Sequence, residues 1–196
     1  MELKDAIQKR QSIRNYEKKD VKSWIIGEIL NTARLAPSSG NIQNWRFIIV
    51  REESIKKQLA IASLGQYWMT TAPVHIVVCS EESKIKSLYK KRGELYSVQN
   101  CAVAAAYIML KALEFNLGTC WVGAFNQEKI SKILGLERDV IPQIIITLGY
   151  PKKYLEKPHK RHDLDKMVYF EQYKNKLKEQ PKRLADYLKE LTKKFR

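Results

Sequence analysis

Cysteine is scarce in this chain, and what accompanies that scarcity narrows its class. Cys79, Cys101 and Cys120 are the three thiols in 196 residues. Their number is odd and their spacing is not that of a metal site, so reduced thiols in a cytoplasmic protein are expected. A long apolar run is also missing. The longest uncharged stretch, LYSVQNCAVAAAYIML, stops at Lys111 and contains Gln99 and Asn100, which predicts a buried helix rather than a membrane span. The opening residues, MELKDAIQKRQSIR, are charged from the second position and carry no apolar core, so no secretory leader is expected. His159 and His162 have no third ligand nearby, and Lys160 and Arg161 stand between them, so no metal is expected.

Acidic residues are in deficit: 21 against 36 lysines and arginines, a net charge of +15. Excess positive charge supplies non-specific affinity for phosphate backbones. Here the lysines are dispersed among acids, as in REESIKKQ and SEESKIKS, which describes solvated helix faces. Nucleic acid is not the expected partner.

The apolar content, 44%, suffices for one domain with a real core. Helical spacing recurs in MELKDAIQKR and in DVKSWIIGEILNTARLA, where Trp24, Ile25, Ile29, Ala33 and Leu35 share the pattern. It returns in EESIKKQLAIAS and from about Ser83 to Asn116, with a break near Gly93 and a stop at Gly118. NQEKISKILGL reads as a short helix capped by Asn126 and closed by Gly135. WRFIIV, VHIVVC, TCWVGAF and QIIITLGYP read as extended segments. Helices and strands intermix without regular alternation, which predicts a layered α+β domain.

Two stretches carry possible chemistry. In RQSIRNY, Arg10, Ser12 and Arg14 fall within five residues, and two guanidiniums with a hydroxyl can clamp an anion. In APSSGNIQNWRFIIV, Pro37, Ser38, Ser39, Gly40, Asn41, Gln43 and Asn44 precede a bulky strand. Composition leaves two readings open for that run: a surface turn, or a loop shaped to meet a flat polar ligand.

RQSIR, APSSGNIQNWRFIIV, LGTCWVGAF and LGYP followed by PHKRHDLDKMV, in this order and spacing, resemble the nitroreductase family of FMN-dependent oxidoreductases. The similarity runs from residue 3 to about residue 170. It departs at Asn44, where the family often has proline, and nothing after Tyr169 matches. The resemblance implies a three-layer α/β/α fold with a central, mostly antiparallel sheet. Residues 1–170 would form the FMN-binding domain, and 171–196 a basic helical extension packing at the dimer interface. It also implies a cytoplasmic homodimer with FMN at each subunit interface. Arg10, Ser12 and Arg14, with Gln11 in the same motif, would grip the phosphate, ribityl chain and pyrimidine edge. Pro37, Ser38, Ser39 and Asn41 would reach the flavin of the partner subunit. Val122 and Gly123 would place main-chain groups near the reactive ring nitrogen, Gln66 would touch the ring, and Arg161, assisted by Lys160, would bind the phosphate. NAD(P)H would supply electrons and a nitroaromatic, quinone or similar small molecule would accept them, by a ping-pong mechanism needing no protein acid or nucleophile. Metabolite dehydrogenation, reductive dehalogenation and flavin binding without turnover remain open alternatives.

Cys120, beside the implied flavin contact, is read as a buried packing residue rather than a redox thiol. Trp45, Trp68 and Trp121 are assigned to the core by default, with Trp68 the first candidate for stacking on a substrate. Near the C-terminus, Leu184, Tyr187, Leu188, Leu191 and Phe195 lie on one face of a helix beginning near Pro181. Five such side chains contribute roughly 1.5–3 kcal/mol each when fully buried. Ending the chain after Glu179 is expected to lower the melting temperature and shift a dimer toward monomer, read by light scattering and thermal melts. Unchanged mass and melting would make this segment a loose tail.

Overall fold

The computed structural model describes residues 1–154 and 161–176. Met1–Glu156 form one compact unit and Lys157–Arg196 a second. The amphipathic segment from Pro181 lies outside the described residues, as do His159 and Lys160.

The first unit is built on four antiparallel strands: β1 (Trp45–Val50), β2 (Val74–Glu81), β3 (Gly118–Val122) and β4 (Val140–Gly149), in the order β1-β2-β4-β3. Val74 to Ser80 are buried throughout, as expected of a strand covered on both faces. Side chains alternate along a strand, and each set finds its own helical layer. Val74, Ile76 and Val78 join Ile144, Ile146 and Leu148 under α2 (Ser23–Ala33) and α5 (Gly93–Ala112). Val77, Cys79 and Ile145 pack on the other face with Leu59 and Ala60 of α3 (Glu53–Ala62) and Ile130 of α6 (Gln127–Leu134). This is a three-layer α/β/α arrangement of the α+β class, as expected.

The helix boundaries have local causes. Asn126 Oδ1 accepts from the Lys129 amide at 2.9 Å, and Gly135 closes α6 at φ +62°. Before α5 the chain forms α4 (Ser83–Tyr89) and a 3-10 turn, Lys90–Arg92; a Cβ on Gly93 would lie 2.8 Å from the Ile85 carbonyl oxygen. That approach explains the expected break near Gly93.

Four details differ from the sequence reading. Gly118 does not stop the long helix: Asn116, at φ +56°, ends its final 3-10 turn, and Gly118 opens β3. Of the helical pattern in α2, Ile25, Ile29 and Ala33 are buried as expected, together with Ile26, but Trp24 and Leu35 are exposed, and Trp24 meets Phe115 edge-on at 5.6 Å. Trp121 is 39% exposed, so the default core assignment holds for Trp45 and fails for Trp121. β4 begins at Val140, upstream of the expected QIIITLGYP, because a register shift at Val78/Cys79 accommodates Pro142 within the strand.

The second unit includes α7 (Leu164–Met167) and an edge-on Tyr169–Tyr173 pair at 4.9 Å. No described helix is long and apolar enough to cross a membrane.

His75 on β2 is fully buried and its Nε2–H donates to the Met69 carbonyl at 2.9 Å. Burial lowers its pKa from 6.5 to about 4; the Met69 hydrogen bond opposes this and the Lys56 charge adds to it. Between these two values the unfolded chain binds a proton that the folded chain does not, so stability falls as pH drops from 6.5 to 4. The loss from this residue is roughly 3 kcal/mol. Urea titrations across that window are expected to show a correspondingly flatter pH dependence for His75→Gln, and equal slopes would refute the assignment.

Candidate functional site

The RQSIR segment lies along the β3 edge, joined to it by an isolated bridge. α1 (Leu3–Lys9) ends at Arg10, whose amide donates to the Ala6 carbonyl at 3.0 Å while its φ/ψ of −60°/119° turns the chain extended. Ser12 then pairs in parallel with Thr119, and the Ile13 amide donates to the Thr119 carbonyl at 2.9 Å. A Cβ on Gly118 would lie 2.5 Å from Ile13 Cγ1, so glycine is what lets this segment approach β3. The Tyr16 hydroxyl donates to the Ile13 carbonyl at 2.7 Å and lies 2.7 Å from Thr147 Oγ1. Burial raises the Tyr16 pKa, which keeps that donor proton in place; the Thr147 hydrogen bond opposes the shift.

With Ile13 and Tyr16 buried, Arg14 is exposed and Arg10, Gln11 and Ser12 are half-buried. No carboxylate pairs with Arg10 or Arg14 among the described residues. The Arg14 guanidinium lies over the Trp68 ring, 5.7 Å from its centroid. Beneath them Cys120 is 1% exposed. Burial pushes its thiol pKa up, while Arg14, a Ser12 hydrogen bond and Arg10 pull the other way. A buried, protonated thiol packing under the segment fits the sequence reading.

The exit of β3 adds further groups. Val122 is buried in the sheet, and Gly123, exposed, follows it. Gln66 Nε2 donates to the Ala124 carbonyl at 3.3 Å, tying the Gln66 turn to this exit. Arg10, Ser12 and Arg14 thus share the β3 edge with Cys120, and contacts through Trp68 and Gln66 link them to the chain around Gly123.

Pro37, Ser38, Ser39 and Asn41 do not join them within one chain. Their loop enters β1, at the opposite edge of the sheet. Gly40, Asn41 and Gln43 all have positive φ, 57°, 54° and 53°. A run of left-handed residues needs support, and hydrogen bonds supply it. Ser38 Oγ accepts from the Gln43 amide at 3.0 Å, and Asn41 Oδ1 accepts from Gln43 Nε2 at 3.0 Å. The Ser39 amide donates to Asn100 Oδ1 at 3.0 Å, Asn100 Nδ2 to Asn44 Oδ1 at 2.8 Å, and Asn44 Nδ2 to Ser97 Oγ at 3.0 Å. Asn44 is therefore a buried link in an amide chain.

Arg161 is exposed in the second unit. The polar chain through Asn44, Ser97 and Asn100 was missed by sequence reasoning. An amide in the middle of an otherwise apolar helix was its available signal. Among the described residues no cluster of histidine, cysteine or acidic side chains could hold a metal.

The donor set on the β3 edge fits a flavin mononucleotide. Two guanidiniums with no carboxylate partner among the described residues and a hydroxyl suit a dianionic phosphate and a polar ring edge, and the glycine at the strand exit leaves main chain accessible. Comparison with known proteins shows the family. The model of the nitroreductase family matches residues 7–67 and 58–150. The chain is 30% identical over 179 residues to an NADH dehydrogenase of Thermus thermophilus, covering 77% of this chain and 87% of that one. It is 27% identical over 165 residues to an oxygen-insensitive NADPH nitroreductase of Helicobacter pylori, covering 68% and 78%. Among solved structures, an FMN-dependent nitroreductase of Clostridium difficile superposes with a TM-score of 0.74 at 28% identity, over 86% of this chain and 98% of that one. By the family match, the fold and the residues gathered on the β3 edge, the chain belongs to the nitroreductase family.

Proposed function

We propose that the chain is an NAD(P)H-dependent FMN oxidoreductase that delivers electrons to a small-molecule acceptor such as a nitroaromatic or a quinone. It works as a cytoplasmic homodimer with FMN at each subunit interface. The observation that carries this reading is the pair of arginines that have no carboxylate partner among the described residues, held with Ser12 on the β3 edge. Unpaired cations close together repel each other, and an anionic ligand offsets that cost.

Arg10 anchors the phosphate, with Gln11 and Ser12 beside it. Arg14, held over Trp68, addresses the pyrimidine edge. Gln66, Val122 and Gly123 border the ring. Bound there, FMN supplies two-electron transfer between NAD(P)H and the acceptor. Donor and acceptor use one open face in turn, which is ping-pong kinetics, and the chain contributes binding, orientation and charge.

The homodimer follows from the placement of the second polar loop. Residues 37–41 precede β1, four interstrand spacings from the Ser12 segment, or about 19 Å. A second copy would bring its loop to the first copy's β3 edge. Leu88, whose side chain lies by Gly40, is 62% exposed; Leu95 and Val98 on α5 are 48% and 43% exposed. That apolar surface suits burial against another copy. In this reading residues 1–170 are the FMN-binding domain.

Heat release and chromatography of the cofactor test the reading: FMN is expected, and FAD, or no flavin after reconstitution, would overturn it. The two arginines should then separate. Arg14→Ala is expected to move the flavin potential negative by about 20–65 mV while FMN stays bound, because a cation at the pyrimidine edge favours the reduced form. Arg10→Ala is expected to weaken FMN binding with little change in potential. Dye-equilibration potentials and flavin dissociation constants check both, and reversed effects would exchange the two assignments.

A further inference from the structure

Lys56 on α3 is 5% exposed, yet it is a lysine. Its Nζ donates to the Ala72 carbonyl at 3.0 Å. His75, fully buried, donates to the Met69 carbonyl at 2.9 Å. Both acceptors belong to one short piece of chain, the 3-10 turn Tyr67–Thr71 and its C-terminal cap Ala72. The Met69 carbonyl already accepts the Ala72 amide at 3.0 Å, which closes the turn, and His75 adds a second donor to it. The Ala72 carbonyl lies just beyond the turn's last hydrogen bond, where an unpartnered buried acceptor is costly, and Lys56 supplies its donor.

The same turn faces the proposed cofactor edge with its other residues. Trp68 packs with Ile13, Tyr16 and Ala72, and its ring lies under the Arg14 guanidinium. Gln66, which caps the turn, donates to the Ala124 carbonyl next to Gly123. An aliphatic side chain at position 56 would fill the space without the desolvation cost of an amine. What the amine adds is a directed bond to one carbonyl.

We propose that Lys56 and His75 are positioning residues: they clamp the Tyr67–Thr71 turn from its buried side and so fix Trp68 against Arg14 and Gln66 against the β3 exit. This rests on the reading of that edge as the FMN site. Neither residue touches the cofactor; both act through the turn.

Hydrogen–deuterium exchange on the cofactor-free protein and FMN titration of the full chain test it together. In Lys56→Met, the Met69 and Ala72 amides are expected to exchange about tenfold faster, with α5 amides unchanged, as for loss of one buried hydrogen bond. The FMN dissociation constant should rise by a similar factor and the visible circular dichroism of bound flavin should change. Lys56→Arg, which keeps a donor, should restore most of both. Unchanged exchange at the turn, an FMN dissociation constant within twofold of wild type, or faster exchange spread evenly over α5 would overturn the proposal. If Lys56→Met does not fold, His75→Leu against His75→Gln repeats the contrast, glutamine keeping the donor to Met69. The proposal then fails if the two variants exchange alike or if leucine also prevents folding, since the donor's role would be general stability. If wild type binds no FMN, the FMN assignment falls, while faster exchange confined to the turn would still support the clamp.

Discussion

The close approach of Ile13 to Gly118 is the constraint on which the candidate site depends. The Ser12 segment reaches β3 because position 118 has no side chain to hold it away. Pairing with Thr119 then fixes which residues point inward, and alternation does the rest. Ile13 is buried, and its flanking residues are left at the surface with their polar groups together. Tyr16 secures the arrangement through the Ile13 carbonyl and Thr147 of β4, so the position of the arginines is tied to the core of the sheet. A binding edge anchored this way keeps its geometry without a ligand, which lowers the ordering cost of binding.

The loop before β1 obeys a different logic. Three left-handed positions within four residues, Gly40, Asn41 and Gln43, are unfavourable for a chain with side chains, and only glycine tolerates such a position without strain. The amide chain through Asn100, Asn44 and Ser97 compensates by giving buried polar groups directed partners. The polar residues of the loop therefore satisfy one another and α5 first. Ser38 and Ser39 already have partners within the chain, so any contact they make with a cofactor is added to a loop that is already shaped.

Much of this was legible in the sequence. Strand and helix content followed from alternation and helical spacing, and the Asn126 and Gly135 caps of α6 were readable because local residues decide them. RQSIR announced a cluster of cations because its residues are neighbours in the chain. What was not legible depends on distant partners. Gly118 reads as a helix stop from its neighbours alone, and only its contact with Ile13 reveals its role. Trp24 and Trp121 look like core residues by type, but both are exposed, and which face of an element is covered depends on distant chain. Lys56 falls within a solvated-looking run, EESIKKQ, and nothing nearby in sequence says that it is buried under Ala72.

The two halves of the proposed site also differ in how they are stabilised. The β3 edge is held by backbone pairing and a tyrosine hydroxyl, and among the described residues its cations have no carboxylate partner. The loop at the other edge is held by neutral amides and hydroxyls and contributes no charge. Such a division suits a site completed by two copies of one chain. Charge gathered on one edge attracts the anionic part of a ligand and orients it, while a neutral, pre-shaped loop can approach without adding repulsion to an already positive protein. In the proposed dimer, a loop that brings amides and hydroxyls rather than further cations to the arginines of the other copy would let assembly and ligand binding support each other.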